Sequence, residues 1–148
     1  LRAIVVRSDD GVDEISTTGT TQVWDATTHE VRHEVLDVAH FDVVPATADD
    51  LRGDDAAFNA DVVRAILGGS REGTHGAIRD VVRLNAAAAL VAFDATRASH
   101  RYGSPQDSFS ARLRSALPDT SDSIDSGAAA SVLAAFAEVS TTLASKDA

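Results

Sequence analysis

Asp13 and Glu14 are the residues best placed to do chemistry, and they stand in the run Gly11-Val12-Asp13-Glu14-Ile15-Ser16. The two adjacent carboxylates occupy a glycine-started loop, just downstream of the short apolar run Ala3-Ile4-Val5-Val6. Mg²⁺ takes oxygen ligands, keeps part of its water shell, and is satisfied by one or two carboxylates plus the oxygens of a phosphorylated substrate. In an open α/β sheet, ligands collect just beyond the carboxyl ends of strands. In a straight strand Asp13 and Glu14 would face opposite ways. Gly11 reaches backbone angles closed to other residues, so the loop can turn until both acids address one space. The same pair also reads as two solvated surface acids, the commonest fate of charged neighbours in a loop.

Hydrophobic patterning predicts the framework around this loop. The continuous apolar run Ala3–Val6 predicts a strand covered on both faces, as in a parallel sheet. Thr20–Asp25 and Glu30–Leu36, joined by the polar turn Ala26-Thr27-Thr28-His29, predict a hairpin. Val31, His33 and Val35 share one face of the second arm, and Trp24 is expected to pack. His29, His33 and His40 have no partner at ligand spacing and are assigned structural or surface roles. Asp37–Arg52, with Pro45, is expected to be irregular.

Helices dominate the rest of the chain. Asp54 or Asp55 can cap a helix whose stripe is Phe58, Val62, Ala65 and Ile66, and Gly68-Gly69 ends it. A second helix is predicted from about Gly76 to Asp94, with Ile78, Val81, Val82, Asn85, Ala88, Ala89 and Ala92 on one face. Asn85 on that stripe needs partners, and the alanines around it favour a bridge to neighbouring backbone over a ligand. Arg97–Gly103 reads as a polar connector. Ser104-Pro105-Gln106-Asp107 then reads as a helix start with Ser104 as cap. Phe109, Leu113 and Leu117 form the stripe, Pro118 is expected to stop it, and Asp119–Ser126 reads as a loop or a helix start. A last helix, Ala128–Leu143, carries Ala129, Val132, Leu133, Phe136, Val139 and Leu143 on one side, with a frayed tail after it. Three strands succeeded by four helices read as α+β if the chain is whole, and as part of a larger sheet with members upstream if it is a fragment.

Composition limits the partners. The 148 residues are enough for a core, 44% are hydrophobic and 24% charged, as in a soluble globular protein. No apolar run approaches the ~20 residues that cross a bilayer, so no membrane association is expected. No cysteine is present, which excludes thiolate ligands and a cysteine nucleophile and fits a cytoplasmic location. Lys plus Arg is 13 against 23 Asp plus Glu, a net charge of −10, which argues against nucleic acid. Coding bias is the plainer reading of the acidic, lysine-poor composition, and adaptation to high salt the sharper one. The absence of methionine, the opening straight into an apolar strand and the small number of further strands together suggest the C-terminal part of a longer protein.

Several segments together resemble the C-terminal part of the anthranilate phosphoribosyltransferase family. They are Ala3–Val6 with Gly11–Ser16, Gly53-Asp54-Asp55-Ala56-Ala57-Phe58-Asn59-Ala60, Arg79-Asp80-Val81-Val82-Arg83-Leu84-Asn85-Ala86-Ala87-Ala88, and Ile124-Asp125-Ser126-Gly127-Ala128-Ala129. The resemblance covers roughly residues 2–95 with an echo near 124–140. It implies residues 1–148 to be the C-terminal portion of one α/β catalytic domain, a central sheet flanked by helices, whose small N-terminal helical domain is absent. It implies a Mg²⁺-dependent pentosyltransferase of tryptophan biosynthesis, active on 5-phosphoribosyl 1-diphosphate and anthranilate and homodimeric as a whole enzyme. It also implies that Asp13 and Glu14 bind Mg²⁺. The family's Gly-Thr-Gly-Gly-Asp phosphate loop, its Lys-His-Gly-Asn-Arg-type segment and the arginine that holds anthranilate have no counterpart here. Catalytic and substrate-binding residues are therefore expected upstream of Leu1, and the fragment alone is expected to be inactive. The competing readings are a pyrimidine nucleoside phosphorylase-like paralogue and a non-catalytic acidic interaction module.

Overall fold

The computed structural model describes residues 2–44, 46–97 and 99–145. Leu1, Pro45 in the irregular stretch, Ala98 in the polar connector and the tail 146–148 lie outside them. The chain forms three strands, β1 (Ile4–Ser8), β2 (Thr21–Asp25) and β3 (Arg32–Leu36), and four helices, α1 (Ala56–Leu67), α2 (Thr74–Arg97), α3 (Phe109–Asp125) and α4 (Ala128–Ala144). A 3-10 turn at Val38–His40 leads out of the sheet, with the Asp37 carboxylate accepting the amide of Ala39. The expected α/β architecture of three strands and then helices is the one observed.

The sheet is antiparallel throughout, in the order β1-β2-β3. The hairpin expected around Ala26–His29 forms, with Thr21 opposite Leu36 and Asp25 opposite Arg32. The parallel, doubly covered β1 does not. β1 pairs antiparallel with β2, Ile4 opposite Asp25 and Ser8 opposite Thr21, and Val5 is 56% exposed. A run of four residues is too short to separate a two-sided strand from an alternating one, and the connection to β2 is a loop with no crossover helix. Val31, His33 and Val35 do share a face, but it points outward; Leu36 and the half-buried Arg32 and Glu34 face inward. Trp24 packs on this outward face, its ring 5.3 Å from that of His33.

The core lies between the inner face of the sheet and helices α2 and α3. Val23 and Leu36 meet Leu84, Ala87, Val91, Phe109 and Leu113, with Ile15 and Phe41 supplied by loops. Each large side chain of this kind contributes about 1.5–3 kcal/mol on burial. The buried stripe of α2 is Asp80, Leu84, Ala87, Val91 and Asp94, rotated from the predicted one, and Val82 is exposed. The acids at either end of the true stripe hid it from a count of apolar residues. Asp80 accepts from Arg83 and the Val44 amide, and Asp94 from Ser99 and the Tyr102 amide.

Asp55 caps α1 through the amide of Phe58, and Gly69 beyond its end has φ +91°. Of the predicted α1 stripe Ile66 is buried while Phe58 is exposed. Two expectations for α3 fail. Its cap is Ser108, which accepts from the Ala111 amide; Ser104–Asp107 closes a separate turn, with Ser104 N–H donating to Asp107 Oδ2 at 2.8 Å. Pro118 lies inside the helix, because Leu113, Ala116 and Leu117 before it and Thr120 and Ile124 after it are all buried in one continuous face. Helix α4 begins after Gly127 (φ +77°). Its predicted stripe finds no core: Val132, Phe136, Val139 and Leu143 are exposed. Among the described residues no single helix is long and apolar enough to cross a membrane.

Candidate metal centre

The carboxylates stand in the twelve-residue connection between β1 and β2 (residues 9–20). Its first turn is tight: Gly11 N–H donates to the carbonyl of Ser8 at 3.0 Å and Ser8 N–H to that of Val12 at 2.9 Å. Gly11 sits at φ +97°, a conformation that disfavours side chains with a Cβ. Asp10 staples this turn to the return of the loop. Its Oδ1 accepts from the Val12 amide at 3.0 Å, and its Oδ2 from Ser16 Oγ at 2.6 Å and from Thr18 Oγ1. Burial pushes the Asp10 carboxyl up, but the hydroxyls of Ser16 and Thr18 and the Val12 amide outweigh it and bring its pKa to about 2. Asp9 closes the mouth, accepting from Thr20 Oγ1 and Gln22 Nε2.

On the far side the loop dives into the core. Ile15 is fully buried, and Ser16 and Thr17 are buried behind it. Asn85 on α2 meets Ile15 with both functions of its carboxamide: Ile15 N–H donates to Oδ1 at 2.9 Å, and Nδ2 donates to the Ile15 carbonyl at 2.9 Å. The bridge to neighbouring backbone expected of Asn85 is thus present. The helix face it occupies is half-buried.

Asp13 and Glu14 stand between these two anchorages, exposed at the surface of the loop. Every other acid of the loop is occupied by hydroxyls and amides, whereas these two have no hydrogen-bond or ion-pair partner among the described residues. A carboxylate accepts only, so the pair presents acceptor oxygens and no donor. No cluster of three or more His, Asp or Glu residues suited to a metal occurs among the described residues. The described residues thus form no dedicated all-protein cage, and one or two carboxylates suffice for Mg²⁺ when a substrate phosphate supplies further oxygens. The residues present fit half of such a site.

Sequence reasoning singled out the pair and Asn85 but missed Asp10, although it directly precedes Gly11. It also missed Glu34, whose two oxygens accept from the amides of Phe109 and Ser110 at 2.9 and 3.0 Å and so cap the start of α3. The histidines take the expected roles: His33 is hydrogen-bonded to Gln22 at 2.9 Å, and His29 and His40 are exposed.

Comparison with known proteins agrees with this architecture. Residues 1–130 match the family model described as glycosyl transferase family, a/b domain. The chain is 42% identical over 132 residues to the anthranilate phosphoribosyltransferase of Arthrobacter sp. (strain FB24), covering 89% of this chain and 34% of that protein. To that of Salinispora arenicola (strain CNS-205) it is 45% identical over 137 residues, covering 92% and 35%. The chain thus spans about a third of the length of these relatives. Among solved structures it is similar in fold to anthranilate phosphoribosyltransferase from Saccharomyces cerevisiae in complex with PRPP and Mg, with a TM-score of 0.62, 19% identity, and coverage of 85% of this chain and 31% of that one. With that family model matching residues 1–130 and relatives 42% and 45% identical along most of its length, the chain belongs to the glycosyl transferase family defined by that a/b domain.

Proposed function

We propose that the chain is the C-terminal portion of an anthranilate phosphoribosyltransferase, a cytoplasmic, homodimeric enzyme of tryptophan biosynthesis. The whole protein transfers the 5-phosphoribosyl group of 5-phosphoribosyl 1-diphosphate to the amine of anthranilate, giving N-(5-phosphoribosyl)anthranilate and pyrophosphate. The observation that carries this reading is the unpartnered Asp13–Glu14 pair on a loop whose other acids are all engaged. The names of the relatives and the Mg²⁺ and PRPP in the yeast structure support it.

Asp13 and Glu14 would hold Mg²⁺ against the diphosphate of the donor. Bound there, the ion supplies Lewis-acid neutralisation of the charge that builds on the departing pyrophosphate. The remaining work of this chain is positional. Asp10 and its hydroxyl partners keep the loop closed, Ile15 anchors it in the core, and the two carboxylates remain turned to solvent where a phosphorylated ligand can reach them. The groups that bind ribose phosphate and anthranilate belong, on this reading, to the portion upstream of Leu1.

The test is the double substitution Asp13→Asn, Glu14→Gln in the full-length protein. The expected outcome is a loss of roughly a hundredfold in kcat/KM for 5-phosphoribosyl 1-diphosphate, the scale of removing one electrostatic stabiliser of a transition state. Unchanged dependence on Mg²⁺ concentration would show that the metal is held elsewhere.

A further inference from the structure

The bond pattern of Asn85 is more than a way of satisfying a half-buried amide. Its two bonds to Ile15 form a closed pair that imitates one rung of a sheet, with a side chain standing in for a strand. The second Nδ2 hydrogen goes to the Val81 carbonyl, one turn back on α2, at 2.9 Å, and this fixes the plane of the carboxamide. Two of the three partners are carbonyls and the third is an N–H, so only this orientation of the amide satisfies all of them. The partners are 70 residues apart in sequence, and the clamped residue comes directly after Glu14. The backbone leaving the carboxylate pair is thereby referred to a 24-residue helix, one of the two that build the core, and not to the loop itself. Asp10 refers the other side of the pair to β1 through Val12.

We propose that Asn85 is a positioning residue for the metal loop: its carboxamide sets the course of the backbone at Ile15 and so holds the Asp13 and Glu14 carboxylates in the geometry that receives Mg²⁺. The inference rests on the metal reading above. Groups that orient metal ligands from one shell out change metal affinity by about 10–100-fold when removed, whereas a residue that only packs changes stability and leaves affinity alone.

The experiment uses the full-length protein saturated with 5-phosphoribosyl 1-diphosphate, whose phosphates complete the site, and Mn²⁺ as the probe, with affinity read by water-proton relaxation and folding read by thermal melting. Asn85→Ala is expected to weaken Mn²⁺ binding by about tenfold or more. Asn85→Asp keeps the acceptor for the Ile15 amide, loses the donors to both carbonyls, and is expected to weaken it as well; it carries the test if Asn85→Ala does not fold. Leu84→Ala, which empties the neighbouring core position on the same helix, is expected to lower the melting temperature without moving Mn²⁺ affinity. If the Asn85 variants bind Mn²⁺ as tightly as the unaltered protein while Asp13→Asn, Glu14→Gln abolishes binding, the metal site stands and the positioning role is overturned. If the double variant binds Mn²⁺ normally, the metal reading fails and the positioning role with it.

Discussion

Asp25 shows how much of this chain's tertiary structure depends on single polar residues. It is 2% exposed and joins Arg32 of β3, at 2.7 Å, to Arg112 of α3, while Thr27 donates its amide at 2.9 Å. Burial pushes its carboxyl up, but Thr27, Arg32 and Arg112 together hold it below the ordinary 3.8. A carboxylate with a depressed folded-state pKa contributes fully above the unfolded value and loses that contribution as pH falls through the folded one. Urea unfolding should therefore show stability falling once the pH drops below 3.8, with Asp10 adding to the loss down to about pH 2. Asp25→Asn should remove its share of that slope and cost about 3–5 kcal/mol at neutral pH, because Arg112 is left buried beside a neutral group. At this scale the sequence was readable wherever the reason was local. Asp13 and Glu14 stood out through the glycine before them, and Asn85 through a polar group on an apolar stripe. Asp25 and Arg112 did not, since each reads alone as a surface charge and only the fold brings partners 87 residues apart together.

The elements were legible as far as short-range rules reach. The hairpin at Ala26–His29, the Asp55 cap and the glycine stop after α1 all formed, because turn chemistry and capping involve neighbours in sequence. Failures came where packing outweighed a local preference. Pro118 removes the amide that would bond the Arg114 carbonyl, a cost of about 3 kcal/mol in a helix interior. The residues buried on both sides of it more than offset that cost, and Pro118 itself is exposed. Pro118→Ala should accordingly stabilise the protein by about 1–3 kcal/mol, read as an increase in the denaturant midpoint with an unchanged slope. The α3 cap moved from Ser104 to Ser108 for a related reason: Glu34, reaching across from β3, binds the first amides of the helix and fixes where it begins. No pattern within 104–118 could announce an acid from another element.

For the molecule as a whole, charge and exposed apolar surface are the governing terms. A net charge of −10 on 148 residues opposes the compact state through self-repulsion, and added salt relieves it. Salt also weakens surface pairs such as Arg52–Asp49 and Arg64–Asp61, but both partners of each are largely exposed and such pairs are worth at most ~1 kcal/mol. Raising KCl from low concentration to about 1 M, where the screening length falls to ~3 Å, should therefore raise the melting temperature. A salt-independent melting temperature would favour coding bias over salt adaptation as the origin of the acidic composition. The apolar faces of α1 and α4 line a shared groove, with Ala60, Val63 and Leu67 opposite Leu133, Ala134 and Ala137, while Val132, Phe136, Val139 and Leu143 of the α4 stripe are exposed. A sequence pattern specifies an apolar face but not what covers it. The stacking of Trp24 on His33 has an optical consequence. Trp24 is the sole tryptophan and lies on the outward face of the sheet, away from the core packed between its inner face and helices α2 and α3. The protein's intrinsic emission thus reports on one strand and its immediate neighbours. Helices that came apart while the hairpin held would leave the fluorescence trace flat and the circular dichroism falling, so agreement of the two signals is a direct measure of whether this chain unfolds as one unit.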